Sequence, residues 1–376
     1  MKNYGRTSVH EFLGDLIVYR NLVPADPRLP PLSDLRQQAG VPASAIPRKT
    51  DPQYGHVLVQ LLQLASALDG GRTPLECLVY IGDTQMNDGT AFVNICRAGG
   101  WKGLAFIAAE RDESPHVRVV EQEEGTLYLA NRWAALAEFE AFCQSQGVSI
   151  DARTAVIVDL DKTALGARGR NDRVIDRARL EALRRTVADL VAEGVDRRRF
   201  EIAYDRLNQV EFHPFTADNQ DYLAYICLVL GSGLYHLEPL IAQIRSGQMV
   251  SFEQFINAVD DRSTELPAEL RHIHRSVYAR VQRGDPTPFK AFRHNEYLAT
   301  IGRMGNLDDS ASVARMLEQE IVITQEVRQW ALRWREQGAL LFGLSDKPDE
   351  ASVPPGDLAA RGCQAIHRTE THAVGG

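Results

Sequence analysis

Paired cysteines are missing from this sequence, although five cysteines are present. They are Cys77, Cys96, Cys143, Cys227 and Cys363, and no two of them form a Cys-x-x-Cys pair. An odd number of scattered cysteines in apolar surroundings is typical of reduced, packed thiols. We therefore expect neither a disulfide framework nor a zinc site.

Long apolar runs are missing as well. No stretch approaches the roughly 20 apolar residues that a membrane-spanning helix needs. The first residues, MKNYGRTSVHEF, lack the apolar core of a signal peptide. The sequence therefore predicts a soluble, cytoplasmic protein without a membrane partner.

The sequence also lacks an excess of positive charge. The 376 residues include 42 Lys and Arg against 50 Asp and Glu, which gives a formal net charge of −8. Binding to a phosphate backbone requires clustered Lys and Arg, so nucleic acid is not an expected partner. With 44% hydrophobic residues, the chain can bury one large core or two smaller ones.

Strand and helix patterns alternate in the first part of the sequence. The helical pattern QYGHVLVQLLQLASAL precedes the strand pattern LECLVYIGD, and GLAFIA follows FVNICRAGGW. A further amphipathic stretch at 131–147 leads into TAVIVDLDKTALG. The alternation resumes late in the chain with TQEVRQWALRWREQG and ALLFGLSDKP, and the tail could add one more strand. This order is typical of a parallel sheet covered by helices.

The middle of the sequence differs in character from both ends. From Arg170 to about Glu318 it is rich in helix formers and has few β-branched runs, which predicts an all-helical insertion of domain size. We therefore predict an α/β fold with a sheet domain at 1–167 and 319–376, interrupted by a helical domain at 168–318.

Aspartates follow two of the predicted strands. Asp83 and Asp88 come after CLVYIG, and Asp159 and Asp161 end the run TAVIVDLD. Ligands bind beyond the carboxyl ends of strands in open parallel sheets, so we expect one acidic cluster. Two carboxylates about 4 Å apart repel by roughly 4 kcal/mol at an effective dielectric of 20. A divalent cation would relieve this cost, and oxygen ligands without nearby His or Cys favour Mg²⁺.

Two segments resemble motifs of the haloacid dehalogenase (HAD) superfamily of phosphohydrolases. DLDKT, with Asp159, Asp161 and Thr163, is similar to the DxDxT motif, in which the first Asp is the nucleophile. GDTQMND, with Asp83 and Asp88, is similar to the GDxxxxD metal motif. The resemblance implies that these acids share one phosphoryl-transfer site.

Two further segments resemble the remaining motifs of the family. LFGLSDKP is similar to the strand that ends in a phosphoryl-binding Ser or Thr, here Ser345. RKTDPQYGHVLVQLL resembles the lysine segment, in which Lys49 would steady the nucleophile and the phosphate. Lys347 competes for this role because it is two residues from Ser345.

The order of the motifs departs from that of the family. The family order is nucleophile, Ser or Thr, Lys and metal acids, whereas this chain presents Lys49, Asp83, Asp159 and Ser345 in turn. That order is a cyclic permutation, which a parallel sheet tolerates because each strand can keep its place while loops are rejoined. The resemblance therefore implies a permuted, Rossmann-like core. The helical insertion after DLDKTALGARGR would be the family's cap, which lies over the site.

The resemblance implies a Mg²⁺-dependent phosphatase that acts on a small phosphorylated metabolite through an aspartyl phosphate. Asp159 would attack phosphorus, and Asp161 would protonate the leaving oxygen and then deprotonate the hydrolytic water. Lys49 and Ser345 would donate hydrogen bonds to the phosphoryl group. The ligands implied for Mg²⁺ are Asp159, Asp161, Asp83 and Asp88.

Several assignments stay open at this point. Asp83 is favoured as the direct metal ligand, and Asp88 either joins it or orients a lysine. Arg168, Arg170 and Asn171 either touch a substrate anion or are solvated linker residues. Phosphotransfer to another acceptor, mutase or phosphonatase chemistry, and a non-catalytic binding or scaffold role are the alternative functions. Substrate identity and oligomeric state are not predicted, because the helical segment matches no motif.

Overall fold

The computed structural model describes residues 1–43, 45–68, 70, 73–190 and 194–376. They form two compact units, Met1–Ala178 with Thr300–Gly376, and Arg179–Ala299. Residues 168–178 and 300–318, which the sequence assigned to the helical insertion, thus belong to the first unit. Asn171 joins the first of these segments to the end of the second, since its Nδ2 donates to the carbonyl oxygen of Leu317 at 2.8 Å. The same Nδ2 donates to the carbonyl oxygen of Glu320, just beyond the second segment, at 2.9 Å.

The described residues form ten strands, all in the first unit. They are β1 (Lys2–Thr7), β2 (Ile17–Val18), β3 (Cys77–Gly82), β4 (Lys102–Ala108), β5 (Val117–Gln122), β6 (Gly125–Ala130), β7 (Thr154–Asp159), β8 (Ile323–Thr324), β9 (Leu340–Leu344) and β10 (Thr371–Gly375). Seven of them form a sheet of order β2-β9-β7-β3-β4-β6-β5. Only β5 in this sheet is antiparallel to its neighbour. The predicted α/β class with a parallel sheet is therefore confirmed.

Helices connect the strands of the first unit. They are α1 (His10–Leu13), α2 (Leu32–Ala39), α3 (Pro52–Leu68), α4 (Thr90–Gly99), α5 (Leu136–Ser145), the first part of α6 (Asp172–Leu190), the end of α13 (Lys290–Ile301), α14 (Val313–Gln319), α15 (Gln325–Glu336) and α16 (Gly356–Ala359). A π-helical turn spans Gln85–Gly89, and 3₁₀ turns occur at Trp133–Ala135, Asp349–Ala351 and Ile366–Arg368.

The central strands are apolar on both faces, as a sheet with helices on its two sides requires. Every residue of β7 and β9 is buried. On one face, Tyr80, Ile157 and Phe342 pack in a common core with side chains of α3 and α4, including Leu58 and Phe92. This packing fixes the positions of the strand ends that carry the aspartates.

Two features of the first unit were not predicted from the sequence. A hairpin of β5 and β6 extends the sheet at one edge. A second sheet has β10 between antiparallel β1 and parallel β8. The tail therefore does supply a strand, but this strand lies outside the large sheet.

The unit Arg179–Ala299 contains helices and no strand among its described residues. It holds the end of α6, the start of α13, and α7 (Arg197–Leu207), α8 (His213–Thr216), α9 (Gln220–Ser232), α10 (Leu237–Arg245), α11 (Phe252–Asp261) and α12 (Ala268–Val281), with 3₁₀ turns at Val210–Phe212 and Ser263–Glu265. Arg293 is buried within this unit and donates to Asp221 and Glu296. This network links α13 to α9 within the unit.

None of the helices in the described ranges combines the length and apolar character needed to cross a bilayer. The five cysteines are all free thiols.

Candidate active site

Strands β3, β7 and β9 are neighbours, and each carries one of the predicted site residues at its carboxyl end. Asp159 ends β7 and pairs with Leu344, the last residue of β9. Ser345 follows directly, and its N–H donates to the carbonyl oxygen of Val18 at 3.0 Å. On the other side of β7, Gly82 ends β3 and leads into Asp83. Parallel pairing thus brings Asp83, Asp159 and Ser345 to one edge of the sheet.

Lys49 reaches this edge from the loop that precedes α3. Its Nζ lies 2.7 Å from Asp159 Oδ1, 2.7 Å from Asp88 Oδ1 and 3.3 Å from Asp346 Oδ2. The residue is only 3% exposed, and Asn94 Nδ2 donates to its carbonyl oxygen at 3.2 Å. Lys49 is therefore a buried cation shared by three carboxylates.

Lys347, the alternative lysine, is also buried, at 8% exposure. Its Nζ donates to Thr300 Oγ1 at 3.1 Å, and its N–H donates to Ser345 Oγ at 3.0 Å. Lys49 Nζ donates to Asp159 Oδ1 at 2.7 Å, which is the contact expected of the phosphate-site lysine.

Asp88 lies on the π-helical turn that follows β3, and its two oxygens are fully used. Oδ1 accepts from Lys49 and, at 3.1 Å, from the Tyr80 hydroxyl. Oδ2 accepts from the backbone N–H of Asp83 and of Thr84, both at 3.0 Å, and from Thr84 Oγ1 at 3.2 Å. Because its acceptors are occupied, Asp88 is suited to orienting Lys49 and the loop.

Glycine is required at position 82 by the close approach of Asp88. A Cβ atom on residue 82 would lie 2.5 Å from Asp88 Cβ and 2.6 Å from Asp88 Cγ. Contacts this short do not occur between real side chains. Gly82 therefore allows the Asp88 carboxylate to turn back onto the strand end.

Asp83 is 9% exposed, and its Oδ2 accepts from Arg168 Nε. Arg168 follows the Asp159 loop, and its N–H donates to the carbonyl oxygen of Lys162 at 2.7 Å. The guanidinium therefore touches an acid of the site, whereas the sequence left it between substrate contact and solvated linker.

Asp83, Asp88 and Asp159 form a group of carboxylates in which one oxygen of each lies within 4.8 Å of the others. Asp161 is not part of this group in the described residues, although the sequence predicted it as a fourth ligand. The cluster that could hold a cation is thus smaller than the predicted one.

The pKa values in this cluster reflect crowded negative charge. Burial raises the pKa of Asp83 to about 7, with Asp88 adding to the effect and Arg168 opposing it. Burial also raises the pKa of Asp159 well above its usual range, against the attraction of Lys49. For Asp88, burial is outweighed by Lys49 and by the donors around it, and the pKa falls to about 2. The two groups with raised pKa values would be stabilised as carboxylates by a further cation.

The carboxylates of this region favour the charged form of Lys49. Its burial favours the neutral amine, but Coulomb attraction to Asp159, Asp346 and Asp88 is larger in sum and raises the Lys49 pKa above its ordinary value. The lysine is therefore charged at neutral pH.

The loop after Asp159 is tightly wound. The N–H of Ala164 donates to the carbonyl oxygen of Asp159 at 3.1 Å, and that of Leu165 to Leu160 at 2.9 Å. Lys162 has a left-handed φ of 64°, which is uncommon for a residue with a side chain. Its Nζ binds Asp176 Oδ1 at 2.8 Å. The loop is thus held by its own backbone and by the start of α6.

Asp161 and Ser345 line a common small cavity of about 20 Å³, a volume that suffices for about one water. Lys347, Tyr19 and Thr300 also line it. The predicted acid–base residue and the predicted phosphoryl-binding residue therefore line the same cavity.

Thr163 is fully buried, and its Oγ1 has no hydrogen-bond partner among the described residues. Its carbonyl oxygen accepts from Thr324 Oγ1. Among the described residues, Thr163 therefore binds its neighbour through its backbone carbonyl oxygen and not through its hydroxyl.

Sequence reasoning missed two partners of the site. Tyr80, inside β3, donates to Asp88, and Asp346 contacts Lys49. The position of Asp346 directly after Ser345, at a strand end, was a usable signal, whereas nothing in the local pattern singles out Tyr80.

Arg170 is a structural residue, since it is buried between Glu110 and Glu326.

No family model, curated protein or solved structure matches this chain.

Proposed function

We propose that this protein is a Mg²⁺-dependent phosphatase of the HAD type, in which Asp159 forms a covalent phosphoryl intermediate with a small phosphorylated substrate. The observation that carries the proposal is the position of Lys49, 2.7 Å from both Asp159 and Asp88. A buried lysine shared by the candidate nucleophile and a metal-motif acid is the arrangement that the motif resemblance requires.

The proposal includes a cyclic permutation of the HAD core. Lys49, Asp83, Asp159 and Ser345 occur in the permuted order along the chain. They come together through three adjacent parallel strands and one loop. The all-helical unit Arg179–Ala299 corresponds to the family's cap by its place in the chain, after the nucleophile loop.

The acidic group fits Mg²⁺ by its donor chemistry. Its members offer carboxylate oxygens only, within 4.8 Å of one another, and Mg²⁺ prefers such ligands while keeping several waters. Asp83 and Asp159 would hold the ion, because the oxygens of Asp88 are occupied by Lys49 and backbone donors. Arg168 competes with the ion for Asp83.

Charge counting also favours a divalent cation. Among the described residues, the carboxylates of Asp83, Asp88, Asp159 and Asp346 form ion pairs with two cations, Lys49 and Arg168. A divalent ion would bring this set to neutrality. When bound, Mg²⁺ would neutralise charge on the transferring phosphoryl group.

In the first step, Asp159 attacks phosphorus in line, so that an O–P bond forms while the ester P–O bond breaks. Lys49 holds the attacking carboxylate in place and remains charged beside the phosphoryl oxygens. Asp161 gives a proton to the leaving oxygen. Ser345 Oγ donates to a phosphoryl oxygen, a role open to it because the oxygen acts as an acceptor in its hydrogen bond with the N–H of Lys347.

In the second step, Asp161 removes a proton from a water that attacks the phosphorus of the aspartyl phosphate. The bond between phosphorus and Asp159 breaks, inorganic phosphate leaves, and the Asp159 carboxylate is restored. The cavity shared by Asp161 and Ser345 has room for about one water.

The test is a screen of phosphorylated metabolites with Mg²⁺, with Asp159→Asn as the blank. We expect turnover by the wild-type protein, none by Asp159→Asn, and loss of turnover when a chelator removes Mg²⁺. Full activity of Asp159→Asn would contradict the covalent mechanism. Activity indifferent to the chelator would contradict the metal assignment alone.

A further inference from the structure

A cleft of about 330 Å³ adjoins Asp83 within the first unit. Its floor includes Ile107 of β4 and Leu129 of β6. Arg111 and Arg118 line it as well, from the segment that leads into the hairpin and from the hairpin itself. The cleft is thus lined by an acid of the candidate site and by two arginines.

The sheet register places Arg118 three strands away from the end of β3, the strand that leads into Asp83. Gly82 pairs with Ile107, Ile107 with Leu129, and Leu129 with Arg118. Residues paired across strands project from the same face. Three strand spacings of roughly 4.8 Å separate the backbones of β3 and β5 by about 14 Å. Once the Arg118 side chain extends from β5 into this space, the remaining distance suits a carbon skeleton of a few atoms.

The two arginines have no ion pair or side-chain hydrogen bond to any of the described residues. Every other lining residue apart from Asp83 is neutral or a histidine. Arg111 and Arg118 therefore bring two positive charges to the lining of the cleft, in a protein whose net charge is −8.

The hairpin side of the cleft is held in place by Asn131. This residue is 4% exposed, and its Oδ1 accepts from the N–H of His116 at 2.8 Å while its Nδ2 donates to the carbonyl oxygen of Ser114 at 2.8 Å. The segment between Arg111 and Arg118 is thereby tied to the end of β6. Asn131 thus orders the backbone between the two arginines, which are themselves exposed.

We propose that Arg111 and Arg118 bind a second anionic group of the substrate, either a carboxylate or a second phosphate. The inference rests on the proposed function, because it places the reacting phosphoryl group at Asp159 beside Asp83. The apolar floor then contacts the carbon skeleton between the two anionic ends. The substrate class is accordingly a small phosphorylated acid or a bisphosphate.

The experiment measures binding, so that it does not depend on turnover. Dissociation constants for 3-phosphoglycerate, fructose 1,6-bisphosphate and glycerol 3-phosphate are measured by calorimetry with Mg²⁺ on the Asp159→Asn protein. The first and third probes differ in a carboxylate against a hydroxymethyl group. The measurements are repeated with Arg111→Gln and Arg118→Gln added, and with Arg361→Gln as an exposed control outside the cleft.

We expect at least one of the two doubly anionic probes to bind about tenfold or more tightly than glycerol 3-phosphate, as a charge-assisted hydrogen bond implies. Arg111→Gln and Arg118→Gln should remove this preference and leave glycerol 3-phosphate unaffected, and Arg361→Gln should change nothing. Equal affinities for all three probes, or an equal loss for all three, would overturn the inference. Tighter binding of 3-phosphoglycerate would identify the second anionic group as a carboxylate, and tighter binding of fructose 1,6-bisphosphate would identify it as a phosphate.

Kinetics on the wild-type protein separates the two proposals. If doubly anionic probes bind through Arg111 and Arg118 but no phosphate ester is hydrolysed, the proposed function fails and the anion site stands. If glycerol 3-phosphate is hydrolysed as efficiently as 3-phosphoglycerate and fructose 1,6-bisphosphate, the function stands and the inference fails.

Discussion

Lys49 is a buried cation between Asp88 and Asp159, and it is held there from several sides. Asn94 binds its carbonyl oxygen, and Asp346 approaches its ammonium group at 3.3 Å. The burial of its side chain means that solvent does not screen these charges strongly. Its role at the phosphoryl group remains a prediction, and it can be separated experimentally from that of Lys347.

Lys49→Met should lower kcat on a phosphate ester by about 10²–10³-fold, because a preorganised donor to the developing charge is lost. Lys347→Met removes a lysine of similar burial whose ammonium group binds Thr300, and we expect a smaller loss. Steady-state kinetics of both variants decides between them. A larger loss for Lys347→Met would reassign the phosphate-site lysine.

Asp83 should make stability depend on pH when no divalent cation is present. Its pKa in the folded protein is raised to about 7 from a usual 3.8. The folded state therefore holds this proton more tightly than the unfolded state, so the contribution is fully present below about pH 4 and is lost as pH rises to about 7.

The measurement is urea unfolding in the presence of a chelator from pH 4 to 8. We expect Asp83→Asn to show a weaker decline in the free energy of unfolding between about pH 4 and 7 than the wild-type protein. Identical declines in the two proteins would mean that Asp83 titrates at its ordinary pKa.

At the level of elements, the turn after β3 determines how Asp83 and Asp88 divide their work. The π-helical turn Gln85–Gly89 brings Asp88 back over Gly82. There it accepts the N–H groups of residues 83 and 84. Asp88 thus positions the loop and Lys49, which leaves Asp83 as the acid that faces the cleft.

Gly82→Ala should destabilise the protein by about 1–3 kcal/mol, since an added methyl group must displace a tightly packed neighbour. It should also weaken Mg²⁺ binding, because Asp88 must move away from Lys49. Gly356→Ala is the matched control, since a Cβ there meets no atom within 4 Å. Both variants are compared by urea unfolding and by Mg²⁺ titration. Equal stability and equal Mg²⁺ affinity of the two variants would contradict the close approach of Asp88 to Gly82.

At the level of the whole molecule, β1 and β10 are antiparallel partners, and Lys2 pairs with Gly375. The first and last strands of the chain are therefore adjacent. This adjacency is the structural condition for a cyclic rearrangement of the chain, since the order of motifs can change while every strand keeps its neighbours.

A rearranged chain tests this directly. Residue 376 is joined to residue 1 by a short glycine linker, and the chain is opened between Ser149 and Ile150, before β7. The candidate nucleophile then precedes all other motifs. We expect the rearranged protein to fold and to retain Mg²⁺-dependent activity within about tenfold, because the opened loop is at the surface. An insoluble or inactive product, beside an active wild-type protein, would contradict the interchangeable order.

The sequence by itself determined the kinds of elements and the ends at which the acids lie. Apolar β-branched runs at 77–82 and 154–159 could only be buried strands, and the acids after them had to meet at one edge if the strands were parallel. The helices of the middle segment could be predicted equally well, because the periodicity of apolar residues in a helix is a local property of the sequence.

Only the tertiary structure decided which of these residues touch. The pairing of Arg168 with Asp83, the Tyr80 hydroxyl on Asp88 and the separation of Asp161 from the carboxylate group depend on strand order and loop path. The hairpin that carries Arg118 had no strong alternation, since most of β5 is exposed on both faces. Local patterns determine what a segment becomes, whereas contacts between distant segments depend on the packing of the whole chain.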